Sequence, residues 1–281
     1  MRDSVRSAIA MMHRRFPEQI VLEDIASEVF ISPFHFSRVF SQDTGVSPGK
    51  FLTAIRMFEA KKRLIASTMN ICDIVHSVGY NSVGTFTSRF TRSVGMQPRQ
   101  YRDPEVRRLL VAVSERLCCM PSLCDLNQAE SQQNNRAHHT GTLSGIVDFP
   151  PRTPRMNVLV GAYQGFLPQM APTVHRAFST DASTYFTLNG VPAGSWALIA
   201  IAMPTTGTFK GCENVFVGSS ASPVSVHSGG ASWTQLGMRR FAPTDPPLAV
   251  TLAGTEPANR SCPIPPPRNG HAHHATALRT R

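Results

Sequence analysis

Arg38 and Gln42 on one segment, and Arg89 and Arg92 on another about fifty residues later, are the polar groups of this chain whose spacing suits recognition of a partner. Guanidinium forks on the outward side of a short helix can bond phosphate or the edge of a base. Catalytic chemistry has far less to work with. The sequence holds no Gly-x-Ser-x-Gly and no His-Glu-x-x-His pattern, His175 and His227 stand alone, and Asp148, Asp181 and Asp245 are scattered without the paired spacing of acid–base work. The chain is therefore read as a non-enzyme that needs no cofactor. Six cysteines (72, 118, 119, 124, 212, 262) form neither CxxC pairs nor a disulfide scaffold, so free thiols are expected. The His-Ala-His-His run at 271–274 is expected to hold no metal.

The segments that carry these groups are two copies of one pattern. Phe36, Phe40, Gly45 and Pro48 return as Phe86, Phe90, Gly95 and Pro98. In the first copy, Ser32-Pro33 is a helix start, with Ser able to cap and Pro fitted to the first helical position. At 100° per residue Phe36, Val39 and Phe40 share a face to be buried, while Phe34, Arg38, Ser41 and Gln42 point away and Ser37 lies at the border. Upstream, Leu22, Ile25, Ala26 and Val29 stripe another short helix, so a tight turn at 30–32 joins two amphipathic helices. That is helix-turn-helix chemistry. The second copy repeats it with Ile71, Ile74, Val75 and Val78, a turn at Gly79-Tyr80-Asn81, and a second helix capped by Ser82. Gly84, Ser88, Thr91 and Arg92 face outward there, with Thr87 beside them.

Between the copies, residues 47–67 predict one long helix with Phe51, Ile55, Phe58 and Ile65 as its apolar stripe and Lys50, Arg56, Lys61, Lys62 and Arg63 as basic edges. Such a rod spans about 30 Å, and successive major-groove windows on one face of B-DNA recur every ~34 Å. A duplicated reader on a rod of that length lets one polypeptide do what a single helix-turn-helix does as a dimer. The net charge of +10 agrees with an acidic partner, although it is split evenly: residues 1–103 carry 14 Lys/Arg against 9 Asp/Glu, and 104–281 carry the same.

These residues resemble the tandem helix-turn-helix domain of the AraC/XylS transcription regulators. The second copy matches the family pattern through Gly79, Tyr80, Ser82, Phe86, Phe90, Arg92, Gly95, Pro98, Tyr101 and Arg102, and the rod matches through Arg56, Ala60 and Leu64. The resemblance implies a homeodomain-like all-α domain over residues 1–103, a double-stranded DNA partner, and base-facing positions at Phe34, Ser37 and Arg38 in the first reader and Gly84, Thr87 and Ser88 in the second. His35, Gln42, Arg89 and Arg92 then fall at the border or on the DNA backbone. Arg38 suits a guanine and Phe34 a thymine methyl. The second reader has no Arg, Asn or Gln at its three positions, so the first is expected to carry most discrimination.

Beyond 103 the composition changes. Residues 104–117 have helical periodicity at Val106, Leu109, Leu110 and Val113, and a polar stretch follows, so 104–140 reads as a helix and linker. Residues 141–254 offer strand candidates separated by turns, with hairpin chemistry at Asn189-Gly190 and Pro192-Ala193-Gly194, and predict an all-β antiparallel sandwich. That half weakly resembles the prealbumin-like domains found beside carboxypeptidases. Sensing a small-molecule effector and self-association are both open for it, and RNA polymerase is an expected partner of such a regulator. Residues 255–281 are Pro-rich and read as a disordered tail. Arg14, Arg15 and Glu18 break any N-terminal apolar run, and the longest apolar run, 196–203, falls far short of the ~20 residues of a membrane span. A cytoplasmic, nucleoid-associated bacterial protein without a membrane partner is expected. Two alternatives stay open: a nonspecific DNA-binding protein, and an enzyme or carbohydrate- or peptide-binding protein whose β half is the active part.

Overall fold

The computed structural model describes residues 1–133, 140–205, 212 and 214–254. The chain opens with α1 (Asp3–Arg15), α2 (Leu22–Glu28), α3 (Pro33–Thr44), α4 (Pro48–Ala66), α5 (Ile71–Ser77) and α6 (Val83–Val94), followed by a 3-10 turn at Gln100–Arg102 and α7 (Pro104–Arg108). The repeat is visible in its packing. Phe36, Phe40 and Phe51 form a chain of ring contacts at 5.5 and 5.5 Å, the second edge-on. Phe86, Phe90 and Tyr101 repeat it at 5.4 and 5.5 Å, again with an edge-on second contact. Edge-to-face geometry sets the positive ring rim on the negative face of its neighbour. Both α3 and α6 end at a glycine in the left-handed region, Gly45 at φ 75° and Gly95 at φ 83°, and each glycine N–H donates to the carbonyl four residues back. Ser82 caps α6 through its hydroxyl, which accepts from the Thr85 N–H, whereas Ser32 holds the corresponding place before α3 with no side-chain cap bond.

Beyond Asp103 the chain departs from the expected helix and linker. The helix expected over 104–117 stops after Arg108, and the chain becomes β1 (Leu110–Ser114) and β2 (Leu117–Cys119). Val111 and Val113 join the helical core, while Leu110 and Ala112 pack with Phe58 of α4. A run buried on both faces reads as helix or strand equally well, and pairing with β12 (Leu248–Thr251) near the other end of the described chain decides it. The expected linker carries α8 (Leu123–Gln133), whose Leu126 and Ala129 are buried.

The rest is a sandwich. The remaining strands are β3 (Thr140–Asp148), β4 (Met156–Tyr163), β5 (Val174–Thr180), β6 (Thr184–Pro192), β7 (Gly194–Pro204), β8 (Phe216–Ser219), β9 (Val224–Val226), β10 (Ala231–Gly237) and β11 (Arg239–Arg240). One sheet runs β10-β3-β6 and the other β11-β8-β7-β4-β5, with β9 on β7. The expectation of a purely antiparallel sandwich fails at one pair, since β10 lies parallel to β3. The expected hairpin is also absent, because β6 and β7 belong to different sheets. Asn189-Gly190 instead marks an extra residue on β6 at a break in register, with Gly190 at φ 72°, as a bulge requires.

The strand β7 is buried along nearly its whole length, and the reason is a second cover. Trp196, Leu198, Ala200 and Ala202 fill the space between the sheets. Ile199, Ile201 and Met203, on its other side, belong to the same apolar cluster as the helices. Helical domain and sandwich thus share one core. Cys118 and Cys212 are bonded to each other, against the expectation of free thiols, while Cys72, Cys119 and Cys124 are free. Cys262, the 271–274 histidines and the expected tail lie outside the described residues.

Candidate nucleic-acid interface

Each reading helix buries one face and presents the other. In α3, Phe36, Val39 and Phe40 are buried, whereas Phe34, His35, Arg38 and Gln42 are exposed and Ser37 is half-buried. Phe34 is 85% exposed, and an aromatic left in water on a helix has no packing role to explain it. In α6, Phe86, Phe90 and Val94 are buried; Gly84, Ser88, Arg89 and Arg92 are exposed, and Thr87 is half-buried. The ten residues expected at the interface therefore fall on the outward sides of two helices. Arg38 and Arg92 make no ion pair among the described residues, and neither do Lys50 or Arg99. Unpaired exposed cations are what a phosphate backbone neutralises.

Arg89 differs. Its guanidinium sits 5.8 Å from the Tyr80 ring centroid, with Arg56 at 5.9 Å from the same ring. Arg56, expected as a basic edge, holds structure instead: its fork donates to the Phe16 and Glu18 carbonyls at 2.8 and 2.6 Å. Burial pulls its pKa down. The same loop meets Gly79, where an added Cβ would lie 2.6 Å from the Phe16 oxygen. Arg102 donates to the Ser67 and Met69 carbonyls beyond the end of α4, and Tyr101 is fully buried. The pattern residues Arg56, Gly79, Tyr80, Tyr101 and Arg102 therefore fix the turns around the rod.

Lys61 is the second departure. Expected on a basic edge, it is 1% exposed, and its ammonium donates to the Gln169 backbone oxygen (2.8 Å), the Gln169 side-chain oxygen (3.0 Å) and the Ala249 oxygen (2.7 Å). Desolvation pushes its pKa down to about 7. Periodicity gave no sign of this, because α4 meets the readers' core with one face and the β1–β12 sheet with another. Sequence reasoning also passed over Phe30. It occupies the turn before α3 at φ 55°, where the second copy has Gly79 at φ 82°, and it is 95% exposed. The missing signal was present in the repeat: a bulky residue stands where its copy has glycine.

A helix-turn-helix family model matches residues 25–104. This segment is an AraC-type helix-turn-helix domain. The chain is 31% identical over 100 residues to the lactose operon transcription activator of Staphylococcus xylosus, covering 36% of this chain and 36% of that protein. It is 34% identical over 79 residues to an HTH-type transcriptional regulator of Mycobacterium tuberculosis, covering 28% and 30%. It is also 30% identical over 90 residues to the bifunctional transcriptional activator/DNA repair enzyme AdaA of Bacillus subtilis, covering 32% and 43%. The chain spans about a third to two-fifths of the length of the curated relatives it matches. Among solved structures, the C-terminal domain of AraT from Geobacillus stearothermophilus is 32% identical, covering 36% of this chain and 84% of that one, with a TM-score of 0.35. No helix among the described residues is long and apolar enough to cross a membrane.

Proposed function

We propose that this protein is a sequence-specific DNA-binding transcription regulator that reads two adjacent major-groove segments with α3 and α6. The observation that carries it is the pair of outward faces on two structurally repeated helices, joined by a 19-residue rod. At 1.5 Å per residue the rod is about 28 Å long, near the spacing of successive groove windows. The relatives matched are named as transcription regulators, which favours the same role here.

Within this reading α3 discriminates and α6 positions. Arg38 has the fork that pairs with guanine O6 and N7, and exposed Phe34 has an apolar face for a thymine methyl. Ser37 borders them. Gly84, Thr87 and Ser88 let the backbone of α6 approach the groove but carry little code. Arg92, and Arg89 on its tyrosine platform, suit phosphate, with His35 and Gln42 flanking the first reader. Selecting bound duplexes from a random pool with the full chain should return two blocks centred about 10 base pairs apart. Arg38→Ala should flatten base preference in one block, while Ser88→Ala leaves both blocks readable. Enrichment of no sequence at all would overturn the regulator reading in favour of nonspecific binding.

A further inference from the structure

A cavity of about 870 Å³ lies where the sandwich meets the AraC-type domain. Its floor lies on the β7–β8 face turned toward the helices. Ile199 and Ile201 pair across to Ser219 and Val217, and all four line it. Phe166 and Phe241 add aromatic walls, and Val113 and Leu248 add an aliphatic one from the β1–β12 sheet. The volume falls in the range of small-molecule sites, which are apolar clefts with a few placed polar groups and often lie between domains.

The charges at the rim say what class of molecule fits. Among the described residues Arg239 and Asp245 are the only charged ones lining the cavity, and they are bonded to each other through two contacts of 2.7 Å. Asp245 also accepts from the Ala242 N–H at 2.8 Å. The cation and the anion thus cancel, and a charged ligand would have to break that pair in a partly desolvated place. Hydrogen-bonding capacity is left at the Ser219 hydroxyl and the Gln235 carboxamide, whose nitrogen has one long bond of 3.3 Å to Asp148.

One wall has a different origin. Thr44, Gly45 and Val46 line the cavity, and they are the turn that ends α3. The turn is tied locally: the Thr44 hydroxyl lies 2.8 Å from the Phe40 oxygen and 3.0 Å from the Val46 oxygen. Gly45 is held in the left-handed region with open space at its Cβ position. A molecule that fills the cavity meets the end of the helix whose other residues include Arg38 and Gln42.

We infer that this cavity binds an uncharged, largely apolar small molecule carrying one hydroxyl, carbonyl or amide end, and that its occupancy biases the first reading helix through the Thr44–Val46 turn. The binding part stands on the cavity alone; the bias rests on the DNA-reading function proposed above. By linkage, a ligand that changes duplex affinity has its own affinity changed by the same factor.

The test uses the full chain and an uncharged fluorescent probe, N-phenyl-1-naphthylamine. Saturable, one-to-one enhancement of blue-shifted emission is expected. Val217→Trp and, on the more exposed neighbouring position, Ser219→Trp fill the floor, and each should weaken probe binding at least tenfold. Either variant suffices if it keeps a cooperative thermal transition. Trp233→Ser, on the exposed outer face of the other sheet, should leave binding unchanged. Non-saturable emission, equal binding by both filled variants, or loss of binding with Trp233→Ser overturns the site. In a second arm, the affinity for the selected duplex should move at least threefold when the probe is bound. Unmoved affinity with the probe saturating overturns the bias. Failure to select any duplex overturns the DNA-reading function and leaves the probe result standing.

Discussion

Lys61 is an ammonium buried among three oxygens with no carboxylate beside it. Its folded pKa lies near 7 against an ordinary value of 10.5. Between those values the unfolded chain holds a proton that the folded chain has released, so this group makes stability rise with pH from about 7 to about 10.5. Below that window both states are protonated and the contribution is flat. Urea unfolding at pH 7, 8.5 and 10 should show the rise in the parent chain and not in Lys61→Met; an equal rise in both would reject this assignment. Phe30 is also under tension. A non-glycine residue in the left-handed region costs ~1–2 kcal/mol, partly offset here by the extra unfolded-state freedom of a glycine replacement. Phe30→Gly should therefore stabilise the chain by about 0.5–1 kcal/mol. If that variant also loses affinity for the selected duplex, the exposed ring contributes to binding as well.

α3 and α6 each rest on an aromatic trio with the same edge-on second contact, so loss of its middle ring should weigh similarly in the two. Phe40→Ala and Phe90→Ala each empty a fully buried ring position and should cost about 3–5 kcal/mol in chemical denaturation. A loss below 1 kcal/mol at one site would show that its copy packs independently of the rod. These helices were legible in the sequence because their apolar residues recur at helical spacing twice, and because Gly45 and Gly95 mark where each ends. The outward residues were legible by the same reasoning, as the complement of the buried face. Elements whose pairing lies far away in sequence were not. Nothing local in 110–114 distinguishes a strand between β12 and β2 from a helix turn. Ala231–Gly237 holds a single β-branched residue, Thr234, and Trp233 left exposed on it obscured its alternation. The Cys118–Cys212 bond likewise joins positions 94 residues apart with no motif between them.

At the scale of the molecule, the β7 face, Phe58 and Lys61 make one cooperative body of reader and sandwich. A chain ending before β12 would expose the β1 edge and take the Ala249 oxygen from Lys61. Those partners stand 188 residues apart. At 5–20 residues per second on the ribosome, roughly 10–40 s separate the making of the rod from the making of its last clasp. Throughout that interval the nascent chain carries a lysine without its Ala249 acceptor and a β1 strand with one edge open. Protease pulses applied to chains stalled just before and just after residues 248–251 should cut the 104–120 region in the first and spare it in the second. Equal cutting would mean that the rod region matures without its clasp. If the two chains differ in that way, synthesis itself acts as an inspection step, in which the β1 region becomes rigid only once the distal strand has arrived.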